Sequence, residues 1–292
     1  MKNELSSIAG ILVSVCIGIA VAVAGSQGGL VVNGIPLLIV LGIVAFVVQW
    51  VAFVPAFAFQ TEKYFDGIGS MTYIGLALSA LFFSNMEPGS ILIAAMVIIW
   101  AARLGSFLFI RIQRDGHDRR FDSIKPDFLQ FLMTWTIQGL WVLLTFSAGL
   151  SALTSGNAHP IDGVVIFGTV LWTTGFAIEV VADRQKSEFK KDPSNKDKFI
   201  CHGLWSWSRH PNYFGEIVLW TGVALVASPV LVGWQYVTLI SPLFVLFLLT
   251  KVSGVRMLEN KARKKWGDNP DYIEYRHKTP MLWSNPLKRP HA

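Results

Sequence analysis

Stretches of roughly twenty apolar residues without a charge recur along this chain, and a helix of that length crosses the hydrocarbon core of a bilayer. Eight are read, at 5–24, 36–59, 69–86, 90–112, 128–150, 162–182, 211–228 and 231–250. Composition agrees. Hydrophobic residues make up 52% and charged ones 15%, where a soluble domain carries about a quarter charged. The fold class is therefore all-α and polytopic, a bundle of transmembrane helices. Leu5–Ala24 is read as a span and not as a signal peptide. Its flank holds one Lys and one Glu, and its apolar stretch is long for a signal h-region. Only Ser228-Pro229-Val230 joins the last two spans, which predicts a tight helical hairpin.

Charge gives the orientation. Of the 25 Lys and Arg, Arg103 lies inside a span and all the others fall on one side. Lys and Arg concentrate in cytoplasmic loops, so both termini and the large loops are expected in the cytoplasm. The net charge of +6 is then a topology signal. Nucleic-acid binding is excluded, because the basic residues sit in loops tied to spans and no recognition motif accompanies them. Cys16 in a span and Cys201 in a loop predict no disulfide. The His residues lack metal-ligand spacing, so no metal site is expected. No repeat or linker divides the chain, and 1–292 reads as a single membrane domain. No protein partner is implied.

Ionisable groups within spans are costly and point to function. Four places qualify. In "WAARLGSFLFIRIQRDGHDRRFD", Arg103, Phe107 and Arg111 share one helix face at i, i+4, i+8. They offer a cationic track inward from the cytoplasm; the plain alternatives are an internal ion pair at Arg103 and snorkelling of Arg111 and Arg114 to the interface. In "TTGFAIEVVADRQKSEFKKD", Glu179 and Asp183 lie one turn apart among apolar residues. They are suited to accept hydrogen bonds from a ribose hydroxyl or a carboxamide. In "QTEKYFDGIGSMTY", Asp66 with Tyr64 or Tyr73 stands at the mouth of the bundle, suitable for polarising a carbonyl. Asp66 equally fits a helix boundary.

The fourth place is "GLWSWSRHPNYFGE". Pro211 suits the first position of a helix. Arg209 and His210 then flank a helix N-terminus, which attracts anions. Asn212 and Glu216 share a face, and Gly215 leaves room for a ligand or a neighbouring backbone. Trp205 and Trp207 suit a membrane–water interface. The four places together describe one polar, basic pocket opening to the cytoplasm, for a large phosphate-bearing ligand.

"HGLWSWSRHPNYFGEIVLWTGVAL" resembles the signature of the steroid 5α-reductase superfamily of membrane enzymes, most nearly its bacterial branch. "WAARLGSFLFIRI" and the tail "LENKARKKWGDNPDYIEYRHKTPMLW" to Pro286 support it. The resemblance covers 60–286, leaving 1–59 as N-terminal spans. It implies a bundle of about eight helices enclosing NADPH, with hydride transfer to a polarised carbon–carbon double bond of a lipid-like substrate. It also implies a bacterial inner membrane. Arg103, Arg111, Asp183, Lys198, Asn212 and Glu216 match cofactor-lining positions, as does Tyr213 within the signature. Glu259, Trp266, Tyr272 and Tyr275 match a tail segment that closes over the cofactor. Steroid reductases hold the substrate ketone with a glutamate and a tyrosine. Asp66 stands near the first place and Trp100 occupies the second. An alternative is an S-adenosylmethionine-dependent membrane methyltransferase of the isoprenylcysteine carboxyl type, which shares the Arg-x-Pro-x-Tyr core. A third reading is a non-enzymatic sterol-binding or scaffolding protein of the same fold.

Overall fold

A computed structural model describes residues 2–252 and 254–282; Trp283 to Pro286 of the tail motif lie outside them. Among the described residues, eight helical stretches are long and apolar enough to cross a membrane, one for each run read from the sequence. The protein is an integral membrane protein and is almost entirely helical. The helices are α1 (Lys2–Gly25), α2 (Leu37–Ala58), α3 (Phe65–Phe83), α4 (Pro88–Asp115), α5 (Phe128–Leu153), α6 (Gly163–Lys191), α7 (Pro211–Ala227), α8 (Ser241–Phe247), α9 (Val255–Trp266) and α10 (Pro270–Lys278). A two-residue antiparallel hairpin, β1 (Val31–Val32) with β2 (Ile35–Pro36), precedes α2. Asn33 and Gly34 turn it at positive φ, the backbone that short hairpins favour.

Two boundaries differ from the sequence reading. The third span starts at Phe65 and not at 69, so Asp66 sits in the first helical turn. An acidic side chain there is favoured by the helix dipole and does not stop the helix. The eighth span is not one uniform helix. It runs as a 3₁₀ segment Gly233–Ile240, then α8, then a π turn Leu248–Val252. Pro242 lacks the N–H that a continuous α-helix needs at that point. The Ser228–Val230 connection is itself a single 3₁₀ turn.

The chain divides into two compact units. The first comprises Met1–Ile166 and Val223–Ser241. Its centre is α5, in which every residue from Val142 to Leu153 is buried. Asp127 caps the start of α5 by accepting from Gln130 N at 3.0 Å. Helices α1 to α4 and the 3₁₀ segment Gly233–Ile240 pack around it. Lipid tails are as apolar as leucine, so close packing and interhelical hydrogen bonds hold such helices together, the bonds contributing about 0.6 kcal/mol each. Ser147 Oγ donates to Thr238 O at 2.9 Å, Ser151 Oγ to Gly25 O at 2.8 Å and Gln138 Nε2 to Phe65 O at 2.7 Å. Gln49 Nε2 donates to Thr72 Oγ1 at 2.8 Å.

The second unit comprises Phe167–Gly222 and Pro242–Ala292. Helices α6 and α7 meet along glycines seven residues apart. A Cβ on Gly175 would lie 2.5 Å from Leu219 N, and one on Gly222 2.6 Å from Gly168 O. Only small residues let two backbones come that close. This contact answers what Gly215 makes room for: a neighbouring backbone, that of α6.

Candidate functional site

The glycine contact sets the register between α6 and α7, and the register brings polar side chains together. Asn212 Nδ2 donates to Asp183 Oδ1 at 3.2 Å. Glu179, Asp183 and Glu216 are all buried, at 2%, 7% and 8% exposure. A buried carboxylate is costly unless hydrogen-bonded, and the Asn212 amide supplies one such bond to Asp183.

Helix α7 starts at Pro211, as its sequence predicts. The two residues before it are held by the tail. Arg209 N donates to Pro280 O at 3.0 Å. The Arg209 guanidinium donates through Nη1 to Glu259 Oε2 at 2.5 Å, and His210 Nε2 lies 3.0 Å from Glu259 Oε1. Burial lowers the His210 pKa, and the bond to Glu259 only partly opposes this. The ring is therefore neutral near pH 7. Tyr213 stacks on it at 5.7 Å between centroids and 11° between planes. Among the described residues, His210 Nδ1 and Arg209 Nε are buried and have no hydrogen-bond partner.

Trp205 corrects the interfacial expectation. It is 3% exposed, its indole N–H donates to Ala182 O at 3.1 Å, and Lys186 Nζ sits 4.5 Å from its ring centroid. It is core of the second unit. The tail residues Trp266, Tyr272 and Tyr275 gather around Phe199, with centroids at 6.0, 5.2 and 5.4 Å. Tyr275 Oη donates to Trp205 O at 2.7 Å, and burial pushes its phenol pKa well up. Lys198, beside Phe199, is exposed.

In the first unit Arg111 Nη2 lies 3.7 Å from Asp66 Oδ2, with both side chains about one third exposed. Arg103 lies over the Phe107 ring at 5.2 Å. Tyr73 is buried two turns along α3 from Asp66, edge-on to Trp100 at 5.1 Å. Tyr64 is 60% exposed. Sequence reasoning missed Glu62. Its side chain is 2% exposed and takes Asp118 N at 2.8 Å and Lys125 Nζ at 2.5 Å. No local spacing links positions so far apart. Among the described residues, no group of three or more His, Cys, Asp or Glu is placed to hold a metal ion.

The model of a family described as a protein of unknown function, DUF1295, matches residues 52–279. The chain belongs to the DUF1295 family. Curated relatives of this DUF1295 chain include the Delta(14)-sterol reductase ERG24 of Saccharomyces cerevisiae, 25% identical over 223 residues, covering 73% of this chain and 48% of that protein. The 3-oxo-5-alpha-steroid 4-dehydrogenase 1 of Bos taurus is 33% identical over 75 residues, covering 26% and 29%. The "Probable O-methyltransferase ustE" of Ustilaginoidea virens is 32% identical over 93 residues, covering 31% and 33%. The matches thus span less than half the length of each of these relatives. The DUF1295 chain is distantly similar to sterol and steroid reductases. No solved structure matches it.

Proposed function

We propose that this membrane protein is an NADPH-dependent reductase of a polarised carbon–carbon double bond in an enone or sterol-like lipid. The observation that carries the reading is the start of α7. There, adjacent residues keep a buried acceptor, His210 Nδ1, and a buried donor, Arg209 Nε, without partners among the described residues. Such atoms cost about 1–3 kcal/mol each when unsatisfied. A ribose hydroxyl or a carboxamide offers both a donor and an acceptor and recovers that cost. The buried carboxylates Glu179, Asp183 and Glu216 supply further acceptors for hydroxyl groups. These residues fit a nucleotide cofactor. The similarity to reductases of sterols and steroids supports reduction as its use.

When bound, NADPH supplies the hydride. Asp183, held by Asn212, and Glu216 orient hydroxyl groups. Lys198 carries positive charge for phosphate in the second unit; Arg103 and Arg111 are cationic groups of the first unit. Trp266, Tyr272 and Tyr275, packed around Phe199, supply the aromatic surface of the tail on the cofactor's side. In the first unit, taken by itself, Asp66, with Tyr64 or Tyr73, is proposed to polarise a substrate carbonyl or donate a proton. The basic loops and both termini are proposed to face the cytoplasm, following the Lys and Arg bias; a bacterial inner membrane is proposed from the resemblance alone.

One observation favours a second reading, methyl transfer from S-adenosylmethionine: the 93-residue match to an O-methyltransferase. S-adenosylmethionine also carries ribose hydroxyls but no phosphate. Thermal unfolding of the detergent-solubilised protein with NADPH or with S-adenosylmethionine separates the two. Stabilisation by NADPH, followed by label transfer from tritiated NADPH to enone sterols or extracted lipids, is the expected result. Stabilisation by S-adenosylmethionine alone would sink the reductase reading.

A further inference from the structure

Both oxygens of Glu259 are already in use. Oε1 meets His210 Nε2 at 3.0 Å, and Oε2 meets Arg209 Nη1 at 2.5 Å. Arg276 Nε stands 3.9 Å from the same Oε2. The similarity to steroid reductases puts Glu259 among the cofactor contacts, and this geometry gives it different work. An ionised carboxylate only accepts hydrogen bonds. The proton of the neutral His210 ring is therefore on Nε2, and Nδ1 is a bare lone pair. The His210 side chain is 7% exposed. Burial, helped by the positive charges of Lys186 and Arg209, keeps the ring from taking a second proton, against the pull of Glu259. Stacking on Tyr213 holds the ring plane.

We propose that Glu259 is a positioning residue: it fixes His210 as the Nε2–H tautomer, so that Nδ1 accepts a hydroxyl or amide N–H from the bound nucleotide, while its second oxygen anchors Arg209. The ligand half rests on the nucleotide reading above. The tautomer half does not. The arrangement resembles a metal-site histidine, whose free nitrogen is directed by a carboxylate on the other one. Here the directed nitrogen faces an organic ligand. Glu259 comes from α9 and His210 from the start of α7, so the tail sets the hydrogen-bonding character of the signature without touching the ligand.

The test is nitrogen NMR of the full-length protein carrying ¹⁵N-histidine, with the His210 signals assigned by their loss in His210→Gln. Without ligand at pH 7, wild type should show Nδ1 in the unprotonated range and Nε2 in the protonated range. Glu259→Ala should mix the tautomers. Glu259→Gln, whose amide oxygen still accepts from Nε2–H, should keep the wild-type pattern, which separates positioning from loss of fold. NADPH should shift Nδ1 alone in wild type. Its affinity should fall about tenfold in Glu259→Ala and recover in part in Glu259→Gln, whose oxygen serves His210 but whose amide nitrogen cannot accept from Arg209. A protonated Nδ1 in ligand-free wild type, or an unchanged pattern in Glu259→Ala, overturns the proposal. If wild type binds neither NADPH nor S-adenosylmethionine, the nucleotide reading falls, and the ligand-free spectra still decide the tautomer.

Discussion

Gly215 of α7 and Gly175 of α6 bring two backbones into direct contact: a Cβ on Gly215 would stand 2.6 Å from Gly175 O and 2.7 Å from Glu179 N. Backbone cannot yield as a side-chain tip can. Gly215→Ala should therefore push the helices apart, destabilise by about 1–3 kcal/mol and separate Asn212 from Asp183. Gly67→Ala is the control. It lies within α3 with nothing inside 4 Å of the added carbon, and should be neutral or up to about 1 kcal/mol stabilising. Thermal unfolding in detergent reads both. Equal midpoints for the two variants would contradict the contact.

Glu62 makes the first unit acid-sensitive. Burial pushes its pKa up, but the bonds from Lys125 and Asp118 N outweigh this and the net shift is downward. A carboxylate with a depressed folded pKa stabilises fully above its unfolded value of about 4.3. That stability is lost as pH falls through the lower folded value. The thermal midpoint should fall in that acid window. Glu62→Gln should cost roughly 1–3 kcal/mol at pH 7 and remove that part of the acid dependence.

His159 should act at higher pH. It is fully buried, its Nε2 lies 2.8 Å from Val226 O, and burial lowers its pKa. The depressed folded value means that stability is complete above the unfolded pKa of about 6.5 and is lost as pH falls through the folded one. His159→Gln keeps an N–H for Val226 without titrating. It should flatten the midpoint-against-pH curve just below neutrality. A curve identical to wild type would assign that slope elsewhere.

The spans were legible because their signal is local: twenty apolar residues and no charge. The start of α3 was misplaced because Asp66 looks like a break, yet it is a favourable first-turn residue. Trp205 was misread because composition near a span end does not distinguish an indole at the headgroups from one whose N–H is held by Ala182. The α6 and α7 polar positions were legible one helix at a time, by one-turn spacing. Their pairing across the helices was not. The links from Glu259 to Arg209 and His210, and from Glu62 to Lys125, span about fifty and sixty residues. Such links come from tertiary packing, which no spacing rule encodes.

Asn212 and Asp183 form a pair that can be exchanged. Asp183→Asn leaves two amides facing each other, and Asn212→Asp faces two carboxylates in a buried place. A hydrogen bond to a charged group contributes about 1.5–3 kcal/mol, so each single variant should weaken nucleotide binding about tenfold or more. The double exchange, Asp183→Asn with Asn212→Asp, restores one amide and one carboxylate. It should recover fold stability even where the ligand still senses which helix carries the charge. A double variant no more stable than the singles would mean that the two do not act as a pair.

Discrimination between NADPH and NADH should come from Lys198 and not from Arg209. Both carry positive charge near the signature, and sequence alone ranks them equally for the extra phosphate. Their surroundings do not. The Arg209 side chain is 14% exposed and its charge is matched by Glu259, so what it has left to offer is the Nε–H donor. Lys198 is exposed in the loop before Phe199. A solvated ammonium suits a phosphate group as a point charge. Lys198→Ala should therefore weaken NADPH by several-fold and leave NADH nearly unchanged, with the difference shrinking as salt is raised. Arg209→Ala should weaken both dinucleotides alike, because it removes the donor and releases Glu259. Binding titrations of the two variants with both dinucleotides, at low and high salt, decide it. A selective loss of NADPH in Arg209→Ala, with Lys198→Ala like wild type, would reverse the assignment.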